Sequence, residues 1–423
     1  MEHTMAYVTR TIENSMRAAG DSFPCIAVYG PRQVGKSTTI DHLFGGAMRA
    51  VTLDDAEDRN LARQNPKLFL EGYGWPLIID EVQKAPELLD EIKIAIDRQR
   101  LDWLKNGSER RLMYVLTGSS RFELQQGISD SLAGRCGVLE MSSFSQAEKY
   151  GAAGVPFSPS PETLHERERA LRGGYRTRTQ IFEDIFQGGM PDVCTGAAER
   201  SAYYKAYAAT YLEKDVRSLI AAGSEAQFRN FLTLAALRTA QELHYDALAA
   251  GAGIDVRTCR RWLSILETSG IITLLHPYLP NASNRIIKAP KLYFMDTGLC
   301  AWLCKWPDPR MLEQCAMGGA FFETYAVSEL IKNLRSHGRD PKEHLFYYRD
   351  TDQKEIDMVY AEGNTLYPIE VKTNESPRNP AKHFGALAKY KMPVGTGLVI
   401  DTCETVRPVN GSAYFCPVWL LGM

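Results

Sequence analysis

The run Gly30-Pro31-Arg32-Gln33-Val34-Gly35-Lys36-Ser37 constrains this chain more than any other stretch. It is a complete G-x-x-x-x-G-K-[ST] loop, and such a loop works only between a buried strand and a helix. Both flanks are present. Cys25-Ile26-Ala27-Val28-Tyr29 is apolar and partly β-branched, the pattern of a strand covered on both faces. Ser37, Thr38, Thr39 and Ile40 open a helix whose positive end faces the loop. Gly35 lets the backbone fold its N–H groups inward around phosphate. Lys36 reaches the β- and γ-phosphates, and the Ser37 hydroxyl is a ligand for Mg²⁺. Residues Gly30 to Thr38 are therefore expected to bind ATP with Mg²⁺, and the N-terminal fold to be α/β.

An acidic strand supports this reading. Leu77-Ile78-Ile79-Asp80-Glu81 ends in two carboxylates, and ligands in open α/β sheets bind at the carboxyl ends of strands. Asp80 is expected to hold Mg²⁺, directly or through water, and Glu81 to orient and deprotonate the attacking water. A further strand, Arg111 to Leu116, ends in Thr117-Gly118-Ser119-Ser120. Thr117 or Ser119 is placed to feel the γ-phosphate, although a loop of small residues reads equally well. Phosphoryl transfer often needs a guanidinium, in cis or from a neighbour. Arg121 and Arg135 are the candidates. Arg135, beside the flexible Gly134, is preferred, and an arginine supplied by a neighbour would make the protein a homo-oligomer. A surface ion pair explains either arginine almost as well. Asp54 and Asp55 support the metal or begin a turn.

A chain of 423 residues is too long for one core. The expected divisions are an ATPase domain over 1–150, a helical connector over 151–225, a winged helix-turn-helix over 226–290 and an α/β domain over 291–423. The formal net charge of −2 excludes a global basic field, so contact with nucleic acid must be local. Nine cysteines without a C-x-x-C pair fit free thiols in a reducing cytosol. No apolar run is long enough to span a bilayer, so a cytoplasmic location and no membrane partner are expected. Tyr203, Tyr204, Tyr207 and Tyr211 recur at helical spacing and are read as packing.

The middle of the chain reads helix, helix, turn, helix, strand. Asp255 can cap the third helix, which stops at Gly270. Val256, Cys259, Leu263 and Leu266 share one face, with Arg257, Arg260 and Arg261 largely on the others. Ile271 to Leu275 and Arg285 to Lys288 would be the wing, with its tip at Asn281-Ala282-Ser283-Asn284. Such a unit can lay its third helix in a DNA major groove, with the three arginines on phosphates or guanines. It can equally serve as a lid or a protein interface.

The C-terminal block carries a second phosphate chemistry. Glu355 to Tyr360 and Leu366 to Lys372 are strands joined by the turn Gly363-Asn364. Asp357 and Glu370 can then face each other. Two opposed carboxylates hold one or two divalent metals, Mg²⁺ or Mn²⁺, that activate water against a phosphodiester. Period two puts Lys372 on the face of Glu370, and Glu323, near the start of an apolar helix, can complete the cage. The plainer reading is a half-exposed hairpin with ordinary charges.

These residues resemble a large uncharacterised group of bacterial and archaeal AAA-type P-loop ATPases with a C-terminal nuclease-like domain of unknown function. The resemblance runs through Pro31 to Ser37, Ile78 to Gln83, Leu116 to Ser120, Ser131 to Arg135, Gly188-Gly189-Met190-Pro191 and Tyr211 to Asp215. It continues through Asp296-Thr297-Gly298-Leu299, Phe322-Glu323, Glu355 to Asp357 and Ile369 to Lys372. It implies a P-loop domain, a winged helix and a restriction-endonuclease-like fold of the PD-(D/E)XK type. Glu323, Asp357, Glu370 and Lys372 are all retained, while Ile356 stands where the best-known pattern has proline. Two functions follow. One is an ATP-driven enzyme that acts on DNA rather than RNA and cleaves or remodels it, as in defence against foreign DNA. The other is a nucleotide-gated module that binds DNA or protein without cleaving it.

Overall fold

A computed structural model describes residues 7–107, 111–118, 128, 130–152, 154–171, 174–212, 225–279, 288–373 and 377–422. They form two compact units. The smaller is Thr9–Ser143 with Arg335–Gly338; the larger is Phe144–Leu334 with Arg339–Met423 and the N-terminal residues to Val8. Apart from Arg335–Gly338, the larger unit takes in residues of all three later expected blocks.

The smaller unit is built on five parallel strands: β1 (Cys25–Tyr29), β2 (Arg49–Thr52), β3 (Leu77–Asp80), β4 (Tyr114–Gly118) and β5 (Cys136–Glu140), in the order β2-β3-β4-β1-β5. Strands β1 and β4 are buried throughout, as their unbroken apolar runs require. The core gathers Phe69, Ile79, Leu88, Ile92, Leu116 and Leu132 around the sheet. Because β4 alone separates β1 from β3, the phosphate loop after β1 and the acids ending β3 stand at the same edge.

The larger unit holds two sheets. Three antiparallel strands, β6 (Gln241–Glu242), β7 (Ile272–Leu275) and β8 (Lys291–Phe294), run in the order β6-β8-β7. With them stand the helices Glu225–Ala236, Tyr245–Ala252 and Val256–Thr268. Asp255 caps the third through the Thr258 N–H at 2.9 Å. Its Trp262 is fully buried against Phe228 and Phe231, each 5.2 Å away in edge-on geometry. Strand β7 pairs antiparallel with Lys291–Phe294; of the expected returning strand Arg285 to Lys288, residues 285–287 lie outside the described residues. The apolar run Leu292 to Phe294 suits a buried strand between two partners, which sequence reading assigned to the start of the next domain. The expected tip, Asn281 to Asn284, lies outside the described residues.

The second sheet has six strands: β9 (Leu345–Arg349), β10 (Glu355–Glu362), β11 (Thr365–Val371), β12 (Gly397–Asp401), β13 (Arg407–Asn410) and β14 (Ala413–Pro417), in the order β13-β14-β12-β11-β10-β9. Strands β9, β10 and β11 are antiparallel neighbours, and β11, β12 and β14 run parallel. The helix Gly318–Ser336 is buried along most of its length, at Phe321, Phe322, Ala326, Leu330 and Ile331 and also at the polar Thr324, Glu329, Lys332 and Asn333.

Tyr203, Tyr204 and Tyr207 of the tyrosine stripe are buried, as packing requires, and one of them does more; the Tyr211 side chain lies outside the described residues. Tyr204 donates to Asp296 Oδ1 at 2.7 Å; the same carboxylate accepts the Leu299 N–H at 2.8 Å and, through Oδ2, the Gly189 N–H at 2.8 Å. This buried hub ties together the Gly188-to-Pro191 and Asp296-to-Leu299 motifs. Structure rather than chemistry accounts for both.

Candidate functional sites

The phosphate loop sits at the carboxyl edge of the parallel sheet. Gly30 is obligatory there, because a Cβ would come within 2.0 Å of the Met141 carbonyl. Gly35 begins the helix Lys36–Phe44 at φ 91°, in the left-handed region. Lys36 Nζ donates to the Gly30 and Pro31 carbonyls at 2.9 and 2.8 Å, folded back over its own loop. Burial pushes its ammonium down to about 8, against the pull of Glu81 and Asp80. A nucleotide's phosphates would replace those carbonyls as its partners.

Ser37 and Asp80 meet across the edge, with Ser37 Oγ 3.3 Å from both carboxylate oxygens. A hydroxyl and a carboxylate on one side of a phosphate loop suit a hard, oxygen-seeking cation, so these residues fit Mg²⁺. Thr117, buried at the tip of β4, donates to Asp80 and accepts the Glu81 N–H at 3.3 Å. One hydroxyl thus touches the metal-binding acid and the backbone of the proposed base. Glu81 holds a left-handed backbone at φ 57°, and Gln83 donates to its carboxylate. Asp55 caps the helix Ala56–Gln64, and Asp54 pairs with Lys84, so both belong to the turn rather than the metal site. Ser119 and Arg121 lie outside the described residues.

The second site lies on β10 and β11. Their register pairs Met358 with Ile369, which sets Asp357 opposite Glu370 one step further along. Asp357 Oδ2 accepts the Val371 N–H at 2.8 Å. Lys372 Nζ lies 2.7 Å from Glu370 Oε1 and 3.8 Å from Asp357 Oδ2. Burial, then the Asp357 charge, pushes the Glu370 carboxyl up to about 7. These three residues line a cleft of about 320 Å³ that is rimmed by Arg378, Lys382 and His383.

Glu323 is not in that cage. Its Oε1 accepts from Tyr293 at 2.6 Å and from Lys291 at 3.1 Å. Burial and then the Asp357 charge raise its carboxyl to about 7 as well. Among the described residues, no group of three or more His, Cys, Asp or Glu side chains is placed to hold a metal ion. The expected three-carboxylate cage is therefore replaced by an opposed pair, Asp357 and Glu370, which still suits one hard divalent cation.

Comparison with known proteins agrees with the first site. Residues 22–150 match a family described as an AAA domain. The chain carries an AAA-type P-loop ATPase domain. Beyond that ATPase domain, residues 178–310 and 318–421 match two families described as domains of unknown function, DUF8612 and DUF4143. The uncharacterized proteins Rv2008c of Mycobacterium tuberculosis and Mb2031c of Mycobacterium bovis are each 26% identical over 365 residues, 86% of this chain and 73% of theirs. A solved structure, the Walker-type ATPase PABY2304 of Pyrococcus abyssi, is 13% identical, with a TM-score of 0.41 over 69% of this chain and 94% of that one.

Within the ATPase domain Arg135 stands far from its own phosphate loop. It directly precedes β5, whose first residue pairs with Cys25, while the loop follows Tyr29 at the other end of β1. Five residues of strand separate the two edges by roughly 16 Å. Arg135 makes a two-pronged pair with Asp97, Nε–Oδ1 2.7 Å and Nη2–Oδ2 2.9 Å. A role in cis is therefore excluded by sheet geometry.

Sequence reading missed two residues. Arg10, buried, donates from Nη1 to the Val34 carbonyl at 2.8 Å and from Nη2 to the Ser142 carbonyl at 2.7 Å, propping the phosphate loop from beneath. Lys291 is the other. Nothing local marks either one, because their partners lie 24 and 132 residues away for Arg10 and 32 for Lys291 with Glu323. Glu213 to Asp215 lie outside the described residues. No helix among the described residues is long and apolar enough to cross a membrane.

Proposed function

We propose that this protein hydrolyses ATP and acts on nucleic acid, DNA rather than RNA, with a metal-dependent phosphodiester cleft in its C-terminal block. The observation that carries the reading is the cleft itself, where the carboxylates of Glu355, Asp357 and Glu370 and the cations of Lys372, Arg378 and Lys382 line one space. Acids alone would repel a phosphodiester, and cations alone would only bind one. Asp357 and Glu370 would hold Mg²⁺ or Mn²⁺, which would supply an activated water and charge stabilisation. Lys372, already paired to both acids, would orient that water or neutralise developing charge. A fold of the restriction-endonuclease type is consistent with the mixed sheet of β9 to β14.

The helices and sheet between residues 225 and 294 have the element order of a winged helix. Arg257, Arg260 and Arg261 are exposed on its third helix, and Arg260 stacks over Tyr245 at 3.9 Å. They would meet the phosphate backbone. A second reading, a nucleotide-gated binding module without cleavage, is favoured by the engagement of Glu323 with Lys291 rather than with a metal.

The deciding test is cleavage of single- and double-stranded DNA under Mg²⁺ or Mn²⁺, with and without ATP. Nicking is expected in the wild type and should fall by at least about a hundredfold in Asp357→Ala, Glu370→Ala and Lys372→Ala. ATPase activity should persist in all three. No cleavage of DNA or RNA under any divalent metal would leave the binding module as the better account.

Arg135, too far for its own nucleotide, would serve a neighbouring subunit in a cytoplasmic homo-oligomer. Arg135→Ala should slow ATP turnover on the order of a hundredfold or more, as loss of a trans arginine does. Mixing it with Lys36→Ala subunits should restore part of the rate, since each supplies what the other lacks. No recovery on mixing, with the mixed assembly confirmed, would remove the arginine from the reaction.

A further inference from the structure

Lys291 is only 3% exposed. A lysine so buried is rare unless paired, because its charge is costly away from water. Here three carboxylates surround it: Glu355 Oε1 at 2.5 Å, Glu323 Oε1 at 3.1 Å and Asp357 Oδ1 at 3.8 Å. An ammonium has three donors and no acceptor, so its capacity matches the three acids. Strand β8 supplies it, and Tyr293, two residues along the same face, secures Glu323 from the other side. Burial pushes the ammonium down, but Tyr293 and then the carboxylates of Glu323, Asp357 and Glu355 outweigh it and hold the amine charged well beyond the usual lysine range.

The arrangement divides Asp357. Its Oδ1 faces Lys291, and its Oδ2 faces the Val371 N–H and Lys372. In a two-metal centre the ions lie about 3.5–4 Å apart and draw on a shared set of carboxylates. Here one oxygen of Asp357, together with Glu323 and Glu355, is committed to a cation that belongs to the chain.

We propose that Lys291 fills the inner half of this carboxylate cluster as a built-in cation, so that the C-terminal cleft admits one divalent ion, on Asp357 and Glu370, and no second. The proposal rests on the metal-dependent reading of that cleft and adds its stoichiometry. Glu323 is then a positioning residue for Lys291 and not a metal ligand. Removing the ammonium while keeping an unbranched side chain, as in Lys291→Met, frees Glu323, Glu355 and Asp357 Oδ1 for a second ion.

The test counts Mn²⁺ bound to the full-length, nucleotide-free protein, by calorimetric titration and by the spin signal of the unbound ion. Wild type, Lys291→Met, Lys291→Met with Glu323→Gln, and Asp357→Ala are compared. Any ion at Asp80 contributes equally to all four and cancels. Lys291→Met should bind one ion more than wild type, and the added Glu323→Gln change should remove it. Equal counts in Lys291→Met and wild type, both above Asp357→Ala, would overturn the proposal and leave the one-ion cleft standing. Should wild type match Asp357→Ala while Lys291→Met gains an ion, the Asp357–Glu370 metal reading falls and the stand-in role of Lys291 holds. Equal counts in all variants would sink both. If Lys291→Met folds poorly, its melting temperature must rise more with saturating Mn²⁺ than that of wild type; an equal or smaller rise refutes the proposal.

Discussion

Lys36→Ala should weaken ATP binding on the order of a hundredfold while leaving the fold in place. The ammonium is seated on the phosphate loop's own Gly30 and Pro31 carbonyls. A charge-assisted contact to phosphate is worth up to about 3 kcal/mol, so its loss weakens binding on the order of a hundredfold. At a ligand concentration of about a hundred times Kd, ATP with Mg²⁺ should stabilise the wild type by about 2.7 kcal/mol. That corresponds to a melting shift of roughly 5–10 °C, falling to about 0.4 kcal/mol, or roughly 1 °C, in a variant that binds a hundredfold more weakly. An equal shift in both would mean the nucleotide sits elsewhere. A second readout follows from burial, which holds the free ammonium down at about 8. Bound phosphates favour the charged form, so binding near pH 8 should take up a proton. Affinity should then fall as pH rises beyond 8, and calorimetry in buffers of different ionisation enthalpy will show the uptake.

Glu81→Gln should separate binding from hydrolysis. The amide keeps the shape of the side chain and its backbone link to Thr117, but it cannot accept a proton. General-base catalysis is worth about 10²–10⁴-fold, and turnover should drop by that factor. The ATP-dependent melting shift should survive. Rapid phosphate release in a single-turnover assay would move the base to another residue, with Asp80 the nearest acid on the same strand.

Local chemistry was legible and long-range geometry was not. The phosphate loop could be read because its strand, glycines, lysine and hydroxyl are consecutive. Thr117 emerged because the tip of a buried strand has only one place to be. The pairing of Asp357 with Glu370 followed from period two and a short turn, which together set the register. Whether Arg135 could act in cis was not legible, because that depends on which end of β5 it occupies, and strand order is not written in its neighbours. Lys291 was hidden inside an apolar strand, Lys291-Leu292-Tyr293-Phe294, where one charged residue looks like a boundary. Its carboxylates come from Glu323, Glu355 and Asp357, on a helix and a strand that only folding brings together.

The six-stranded sheet has a consequence for how the two sites breathe. Strand β11, which carries Glu370, is zipped to β10 on one side and β12 on the other. Its amides can exchange with solvent only when two ladders part together, so they should be among the slowest in the molecule. The phosphate loop lies at strand tips, where small local openings suffice. Under the proposed reading, substitutions between Arg378 and His383 would retune the lining of the cleft while Glu370 stays anchored in the middle of its sheet.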